Sequence, residues 1–216
     1  MSNFLQKVDK AILGPFYKQF INSINKSTLD CNSVLDIGCG YNPQMKILTS
    51  RMQKSVGLDV FLPSIEKAKL IQTHSEFVLE DVKTYLEKMP NNSFDAVIAL
   101  DLIEHLTKEE GFWLMKQMER LAIKKVIIFT PNGFVPQTPY DNNPFQEHLS
   151  GWEIEEMEKE GYKILGFGGY KKLRGERFSI KFKPRIFWKY FSFGTQLFLH
   201  NKPKNAYSIL CVKNLC

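Results

Sequence analysis

One short segment, residues 33–40, constrains the fold more than any other part of the chain: it reads Ser-Val-Leu-Asp-Ile-Gly-Cys-Gly. Its apolar run has the length of a strand, two glycines follow, and an amphipathic stretch over about residues 44–52 suits a helix. Glycines at such a turn allow backbone conformations that other residues resist, and they let a ligand approach the main chain. The segment therefore predicts a strand, a turn and a helix that together bind a small molecule.

Two phosphate-binding turns fit this segment poorly. A dinucleotide fold needs a third glycine where this chain has Pro43, and the phosphate loop of nucleotide hydrolases needs a Lys-Ser or Lys-Thr pair that is absent here. Asp36, two residues before the first glycine, places a carboxylate in the turn, which repels a pyrophosphate and suits a cation. The charge favours a sulfonium or an amine as the ligand.

The segment Val34–Gly40 resembles the first motif of the class I S-adenosylmethionine-dependent methyltransferases. Asn42 stands where the usual pattern has a further glycine, and asparagine tolerates left-handed backbone conformations better than most residues. The resemblance implies S-adenosylmethionine as the cofactor. It also implies an α/β fold with a doubly wound, mostly parallel seven-stranded sheet, N-terminal helices, and a helical insertion before an antiparallel last strand.

A second carboxylate follows at a spacing typical of nucleoside binding. Residues 55–59 read as a buried strand that ends at Asp59, 19 residues after Gly40. In parallel sheets of this kind, an acidic residue about 20 positions on accepts hydrogen bonds from ribose hydroxyls. The resemblance implies that Asp59 binds the ribose of the cofactor.

A third strand is predicted over residues 76–80. The resemblance implies that an acidic residue at its end, either Glu80 or the favoured Asp81, bonds the adenine amino group, and that Val82 flanks the ring. A cap at the start of the next helix is an alternative role for Asp81.

The segment 94–106, Phe-Asp-Ala-Val-Ile-Ala-Leu-Asp-Leu-Ile-Glu-His-Leu, resembles the fourth motif of small-molecule and lipid methyltransferases of this class. The carboxyl ends of parallel strands face the ligand crevice, which puts Leu100 and Asp101 near the methionine part of the cofactor. The full set of predicted cofactor-binding residues is Asp36, Gly38, Cys39, Gly40, Asp59, Val60, Asp81, Val82, Leu100 and Asp101.

Two histidines are candidates for a general base. His148 lies in a long polar loop over residues 134–152, and a histidine near neutrality can take the proton of an attacking hydroxyl or amine. His105 follows Glu104, but adjacent residues on a helix point apart, which favours packing over catalysis. A core or capping role for His148 is also open, because Ser150 is predicted to begin the next helix. The residues predicted to contact the acceptor are Asn132, Tyr140, His148 and Trp152.

The length of 216 residues suits a single domain. We expect an N-terminal helical lid over residues 1–28, broken in two at Gly14-Pro15, with Tyr17 reaching the site. A cofactor-binding core over 29–170, a basic aromatic insertion over 171–205 and a last strand over 206–213 follow.

Basic charge is concentrated near the C-terminus: the residues from Lys163 onward carry a net charge of +11, and the preceding ones carry −5. Within this part, residues 177–199 interleave basic and aromatic side chains. Ordinary packing on the sheet, an aromatic wall for a large substrate, contact with an anionic membrane, and single-stranded nucleic-acid binding are all open for residues 171–204.

Four cysteines without zinc spacing predict neither a disulfide framework nor a metal site. We expect a cytoplasmic protein, peripheral at a membrane surface if the basic segment contacts lipid, because no signal peptide or membrane-spanning run is found.

The predicted activity is transfer of a methyl group to an oxygen or nitrogen of a small-molecule, glycan or lipid-linked acceptor. The Asp-Pro-Pro-Tyr or Asn-Pro-Pro-Tyr tetrapeptide of many nucleic-acid methyltransferases is absent. A nucleic-acid methyltransferase using the basic segment, and a non-catalytic regulatory subunit that binds S-adenosylmethionine, remain alternatives.

Overall fold

The structure is a computed structural model that describes residues 3–139 and 143–215, with the backbone alone for residues 3–13 and 17. The described residues form one sheet of seven strands with helices on both faces. In chain order the strands are β1 (Ser33–Ile37), β2 (Lys54–Asp59), β3 (Glu76–Leu79), β4 (Phe94–Leu100), β5 (Ala122–Pro131), β6 (Lys163–Tyr170) and β7 (Ala206–Asn214). The helices are α1 (Asn3–Ser27), α2 (Met45–Thr49), α3 (Leu62–Ile71), α4 (Val82–Lys88), α5 (Lys108–Leu121), α6 (Ile154–Lys159) and α7 (Arg185–Leu199).

The strand order is β3-β2-β1-β4-β5-β7-β6. Strands β1 to β5 pair in parallel, and β7 lies antiparallel between β5 and β6. The predicted seven-stranded doubly wound sheet with an antiparallel last strand is confirmed. The order reverses between β1 and β4, which opens a crevice beyond the carboxyl ends of these strands.

The central strands are buried on both faces, which explains their continuous apolar sequences. On one face, α5 packs Leu114, Met115 and Met118 into the larger core cluster. A capping box between Thr107 and Glu110 fixes the start of this helix. On the other face, α1 and α2 close a second cluster. The sheet is thus held rigidly, and its carboxyl edge can position ligand-binding side chains.

The prediction that Gly14-Pro15 breaks the N-terminal helix is wrong, because α1 continues through Pro15. A proline removes one intrahelical hydrogen bond, and the packing of the following turns outweighs that loss: Ile21 and Ile24 are fully buried. The next helices are also shorter than predicted. Helix α2 covers only Met45–Thr49, and α6 begins at Ile154 rather than at Ser150.

The C-terminal insertion packs on the sheet through α7. A Cβ atom on Gly169 of β6 would lie 2.0 Å from the carbonyl oxygen of Ser192, so glycine permits the close approach of helix and strand. Arg174 is buried here, and its Nε donates to the carbonyl oxygen of Gly168 at 2.6 Å. Packing therefore accounts for one face of this segment. Within the described part of the chain, no helix is both long enough and apolar enough to span a membrane.

Candidate active site

A cavity of about 590 Å³ opens at the carboxyl ends of β1, β2 and β4. This volume is within the usual range of small-molecule sites. Side chains from α1 and α7, Phe16, Phe20, Phe193 and Gln196, form one wall, and the loop before α6 forms another. The predicted cofactor residues that line the cavity are Asp36, Gly38, Cys39, Gly40, Asp59, Val60, Val82, Leu100 and Asp101.

The glycine turn after β1 has the backbone that the sequence motif demands. Gly38 and Gly40 have φ values of +68° and +53°, a region that other residues rarely adopt. A Cβ on Gly38 would also lie 2.8 Å from Cδ1 of Leu102. Asn42 does not replace the missing glycine through a left-handed conformation: it is not among the described residues with positive φ, and its Oδ1 accepts from the Gln44 N–H at 3.1 Å.

Asp59 ties the end of β2 to this turn. Its Oδ2 accepts a hydrogen bond from the Gly40 N–H and its Oδ1 accepts one from the Phe61 N–H, both at 2.8 Å. Each carboxylate oxygen has a second lone pair, so the fixed carboxylate can still accept from two adjacent hydroxyls. This arrangement supports ribose binding, which stays a prediction.

Asp36 is buried beside the cavity and faces a histidine that the sequence analysis missed. Its Oδ2 lies 3.2 Å from Nε2 of His74, and its Oδ1 has no hydrogen-bond partner in the described structure. Burial raises the pKa of Asp36, and the nearby imidazole of His74 opposes that rise. The one sequence signal for this contact is Gly57, where a Cβ would meet Nδ1 of His74 at 2.9 Å. The unpartnered oxygen can accept from a cationic donor.

Asp81 does not line the cavity. Its Oδ1 accepts from the Thr84 N–H at 3.0 Å and caps α4, the alternative role that the sequence left open. Glu80 pairs instead with Lys88 at the surface. Val82 alone of this group reaches the cavity, and the contact with adenine stays a prediction.

Two acidic side chains lie at the other end of the cavity. Asp101 adopts a φ of +51° directly after β4, and desolvation of its carboxyl group by the surrounding protein raises its pKa to about 7. Glu104 is 2% exposed, and its Oε2 has no hydrogen-bond partner in the described structure. Burial, and next the negative charge of Asp101, raise the pKa of Glu104 well above its usual range. A cation bound at this end of the cavity would stabilise the ionised forms of both carboxyl groups.

His105 and His148 meet beside these acids. Their rings pack edge to face with centroids 4.8 Å apart. Each Nδ1 faces a backbone carbonyl oxygen, that of Glu147 at 2.8 Å for His105 and that of Val135 at 2.6 Å for His148. Burial lowers the pKa of both imidazoles. The lowered pKa favours the neutral imidazole, and the carbonyl partners favour a proton on Nδ1 with a lone pair on Nε2.

The expectation that Glu104 and His105 point apart is wrong, because both line the cavity. They lie in a single 3₁₀ turn, Ile103–His105, at the end of β4 rather than within a longer α-helix. The 3₁₀ turn allows neighbouring residues to face one crevice, and it brings both of them close to His148.

Two of the predicted acceptor contacts are wrong. Trp152 is fully buried, and its Nε1 donates to the carbonyl oxygen of Ile103 at 3.3 Å and to Ser150 Oγ at 3.0 Å. Asn132 is 5% exposed, and its Nδ2 donates to backbone carbonyls that lead into β7, including that of Ala206 at 2.9 Å. Neither side chain lines the cavity. Tyr140 lies outside the described residues, as does the side chain of Tyr17.

The structure also adds residues that the sequence did not single out. Arg177 and Phe178 enter the cavity wall with φ values of +50° and +60°, and no sequence pattern marks these positions. The long polar loop contributes more than His148. Its other cavity-lining residues are Gln137, Asn143, Phe145 and Gln146.

The strand order and the glycine turn define a methyltransferase-type α/β fold, and a family model described as a methyltransferase domain matches residues 35–129. Residues 35–129 therefore match a methyltransferase domain, in agreement with the resemblance of the sequence motifs to the class I S-adenosylmethionine-dependent methyltransferases.

A curated relative, the ubiquinone biosynthesis O-methyltransferase of Rhodopseudomonas palustris (strain BisB18), is 33% identical over 92 residues, covering 41% of this chain and 36% of that protein. The protein of the same name from Rickettsia bellii (strain OSU 85-389) is 27% identical over 143 residues, covering 57% of this chain and 58% of that protein. The chain thus matches between about a third and just over half of the length of these relatives.

The crystal structure of an S-adenosylmethionine-dependent methyltransferase from Archaeoglobus fulgidus matches this structure with a TM-score of 0.60. The match covers 98% of this chain and 100% of that one at 17% identity. At this identity the likeness concerns the fold alone, and the fold extends over nearly the whole chain.

Proposed function

We propose that this chain binds S-adenosylmethionine and transfers its methyl group to a hydroxyl oxygen of a small organic acceptor. The observation that carries the proposal is the pair of carboxylates at the glycine turn. Asp36 is buried with one unpartnered oxygen, and Asp59 is fixed by two backbone N–H groups at the end of the neighbouring strand. A cationic amino acid group and a ribose are the partners that this pair suits.

The residues present fit the cofactor along the length of the cavity. Asp59 would accept from the ribose hydroxyls, and Val82 would lie against the adenine. Asp36 and the turn at Gly38 would face the amino acid part. When bound, the cofactor supplies an activated methyl group, so the chain has to orient the acceptor and exclude water. Orientation of this kind can contribute on the order of 7 kcal/mol or more to lowering the barrier.

The acceptor end of the cavity supports an apolar molecule with a hydroxyl. The rings of Phe129, Phe145, Phe178 and Phe193 line the cavity, and so do Glu104 and the two histidines. The relatives named above are O-methyltransferases of ubiquinone biosynthesis. By analogy, we infer a hydroxylated ring or a lipid-linked ring as the acceptor class of this chain. The role of His148 as a general base stays a prediction.

The direct test is transfer of an isotopically labelled methyl group from S-adenosylmethionine to a panel of phenols, catechols and lipid extracts. We expect label on oxygen, located by mass spectrometry. Asp36→Asn is expected to lower kcat/KM by about ten-fold or more, because the neutral amide loses the charge that attracts the cationic group.

Asp30→Asn is the matched control, since Asp30 is exposed and does not line the cavity. Cofactor binding without label on any hydroxyl or amine would contradict the proposed activity and favour a regulatory subunit. Label on a ring or chain nitrogen would place the acceptor among amines instead.

We also propose that α7 brings the cavity to an anionic membrane surface that holds the acceptor. One side of the helix lines the cavity through Phe193 and Gln196. The opposite side exposes large apolar residues, and exposed Lys181, Lys183 and Arg185 precede or begin the helix. The exposed apolar residues of this surface are Phe187, Phe191 and Phe198, each at least half exposed. An apolar face flanked by basic residues is typical of helices at lipid interfaces.

Vesicle co-sedimentation tests this surface. We expect binding to vesicles that contain anionic lipid, and a double variant, Phe187→Ser with Phe191→Ser, should bind about a hundred-fold more weakly. The reason is that each phenyl group buried in the interface contributes about 1.5 kcal/mol or more. Leu70→Ser is the control, because Leu70 is 85% exposed on α3, away from this surface.

Equal binding by the double variant and wild type would contradict the membrane surface. Binding to single-stranded RNA with steep salt dependence, and none to vesicles, would assign the basic segment to phosphate contacts instead.

A further inference from the structure

We propose that Glu104, His105 and His148 bind a divalent transition-metal ion at the acceptor end of the cavity. Each residue offers a ligand atom, and these atoms all lie within 4.8 Å of one another. The inference goes beyond methyl transfer itself, and it revises the expectation from sequence that no metal is bound.

The spacing of the three ligand atoms is close to what an ion requires. A tetrahedral ion with bonds of about 2.1 Å separates its ligand atoms by about 3.4 Å. Side-chain rotations that move the ligand atoms by about 1 Å would bring all three within bonding distance of one ion. The three residues already share one wall of an open cavity, so an ion can enter without unfolding.

Both histidines are held in the tautomer that a metal ligand needs. Their Nδ1 atoms lie at hydrogen-bond distance from the carbonyl oxygens of Glu147 and Val135, which accept and do not donate. Each ring therefore carries its proton on Nδ1 and presents the lone pair of Nε2. Metal-ligating histidines usually have such a carbonyl partner, which fixes the orientation of the ring. Nothing in this arrangement depends on the methyl donor.

The buried carboxyl group of Glu104 also indicates a cation site. It is 2% exposed, and its Oε2 has no hydrogen-bond partner in the described structure. A buried carboxylate oxygen without a partner is costly, and a cation beside two imidazoles would satisfy it. Asp101, which also lines the cavity, places a second carboxyl group there.

The donor set indicates the class of ion. Two imidazoles and one carboxylate suit Zn²⁺, Mn²⁺ or Fe²⁺ better than Ca²⁺, which prefers six or more oxygen ligands. Three protein ligands leave a coordination position open toward the cavity, as in catalytic sites.

This step rests on the proposed function: the open coordination position of the ion would hold the acceptor hydroxyl and favour loss of its proton to solvent. The oxygen lone pair then forms the bond to the methyl carbon while the carbon–sulfur bond breaks to leave a thioether. His148 would act as a ligand in this arrangement and not as a base.

The test uses the full chain stripped of metal by a chelator and titrated with Zn²⁺ or Mn²⁺. We expect calorimetry to give one ion per chain and the melting temperature to rise with the ion. Glu104→Gln keeps the size of the side chain and should weaken binding at least about ten-fold, as loss of a ligand costs no less than loss of an outer partner. Glu109→Gln is the matched control, because Glu109 is exposed on α5.

Equal affinity of wild type and Glu104→Gln, or no binding by wild type, would overturn the metal site. The shift in melting temperature with S-adenosylhomocysteine checks that Glu104→Gln is folded; if it is not, His148→Gln takes its place in the same titration. Methyl transfer tests the proposed function separately from ion binding. Ion binding without methyl transfer would support the metal site and contradict the proposed activity, whereas full transfer in excess chelator would support the activity and contradict a role of the ion in the reaction.

Discussion

Replacing Asp59 by alanine is expected to abolish the rise in melting temperature that S-adenosylmethionine gives the wild-type chain. At a concentration about a hundred times its dissociation constant, a ligand stabilises the folded state by roughly 2.7 kcal/mol. For a domain of this size, that corresponds to a rise of roughly 5 to 10 °C. S-adenosylhomocysteine should give a similar rise, because it keeps the ribose. Differential scanning fluorimetry of both proteins with each ligand measures the effect.

The physical reason is that Asp59 has two functions at once. Its oxygens accept from the N–H groups of Gly40 and Phe61, which fixes the turn, and their remaining lone pairs are available to the ribose. Alanine removes both. Because the variant loses turn contacts, its melting temperature without ligand should also fall, and the shift caused by the ligand is therefore the quantity to compare.

Asp30→Ala is the control for this experiment. Asp30 is exposed, and its carboxylate lies 3.7 Å from the ammonium of Lys125, away from the cavity lining. It should keep the full shift. An undiminished shift in Asp59→Ala would show that the ribose is bound elsewhere. The absence of a shift in wild type would limit the likeness to methyltransferases to the fold.

Replacing Trp152 by alanine should lower the free energy of unfolding by about 3–5 kcal/mol. The side chain is fully buried, and a Cβ added at Gly111 would lie 2.2 Å from Cζ2 of its ring, so the ring fills its space closely. The variant loses that packing and leaves Ser150 without the indole donor. Urea unfolding followed by circular dichroism measures the change, which corresponds to a fall in melting temperature of roughly 6 to 20 °C.

Trp188→Ala is the matched control, because Trp188 lies half-buried on α7 and its Nε1 donates to the carbonyl oxygen of Lys183. Its loss should cost much less. Trp152→Phe should retain most of the stability and leave the KM for the acceptor unchanged. A raised KM with normal stability would restore Trp152 as a substrate contact.

The glycine turn and the sheet could be predicted because their signals are local. The run 33–40 combines an apolar strand, a carboxylate and two glycines, and both glycines do adopt the positive φ that the motif needs. The position of Asp59 follows from the regular length of one helical crossover between parallel strands. The cap formed by Asp81 was likewise an explicit alternative, because capping depends only on the next few residues.

Contacts between distant parts of the chain were not predictable in the same way. His74 reaches Asp36 across the face of β2, and the sequence gives no sign of this pair except a glycine at position 57. Asn132 and Trp152 are of residue types that are common in binding sites, yet both side chains donate hydrogen bonds to backbone carbonyl oxygens inside the protein. A polar or aromatic side chain satisfies its partners equally well in a core or in a site, so residue type alone does not distinguish the two.

By itself, the sequence indicated the glycine turn, the carboxylates at the ends of β1 and β2, and the succession of strands along the chain, because periodicity, turn chemistry and spacing are properties of short segments. Only the tertiary structure decided which side chains meet at the proposed acceptor end of the cavity. Glu104 and His105 are separated from His148 by more than 40 residues, and a 3₁₀ turn and a returning loop bring the three together. That proximity depends on how the loop closes over the sheet, which no local pattern encodes.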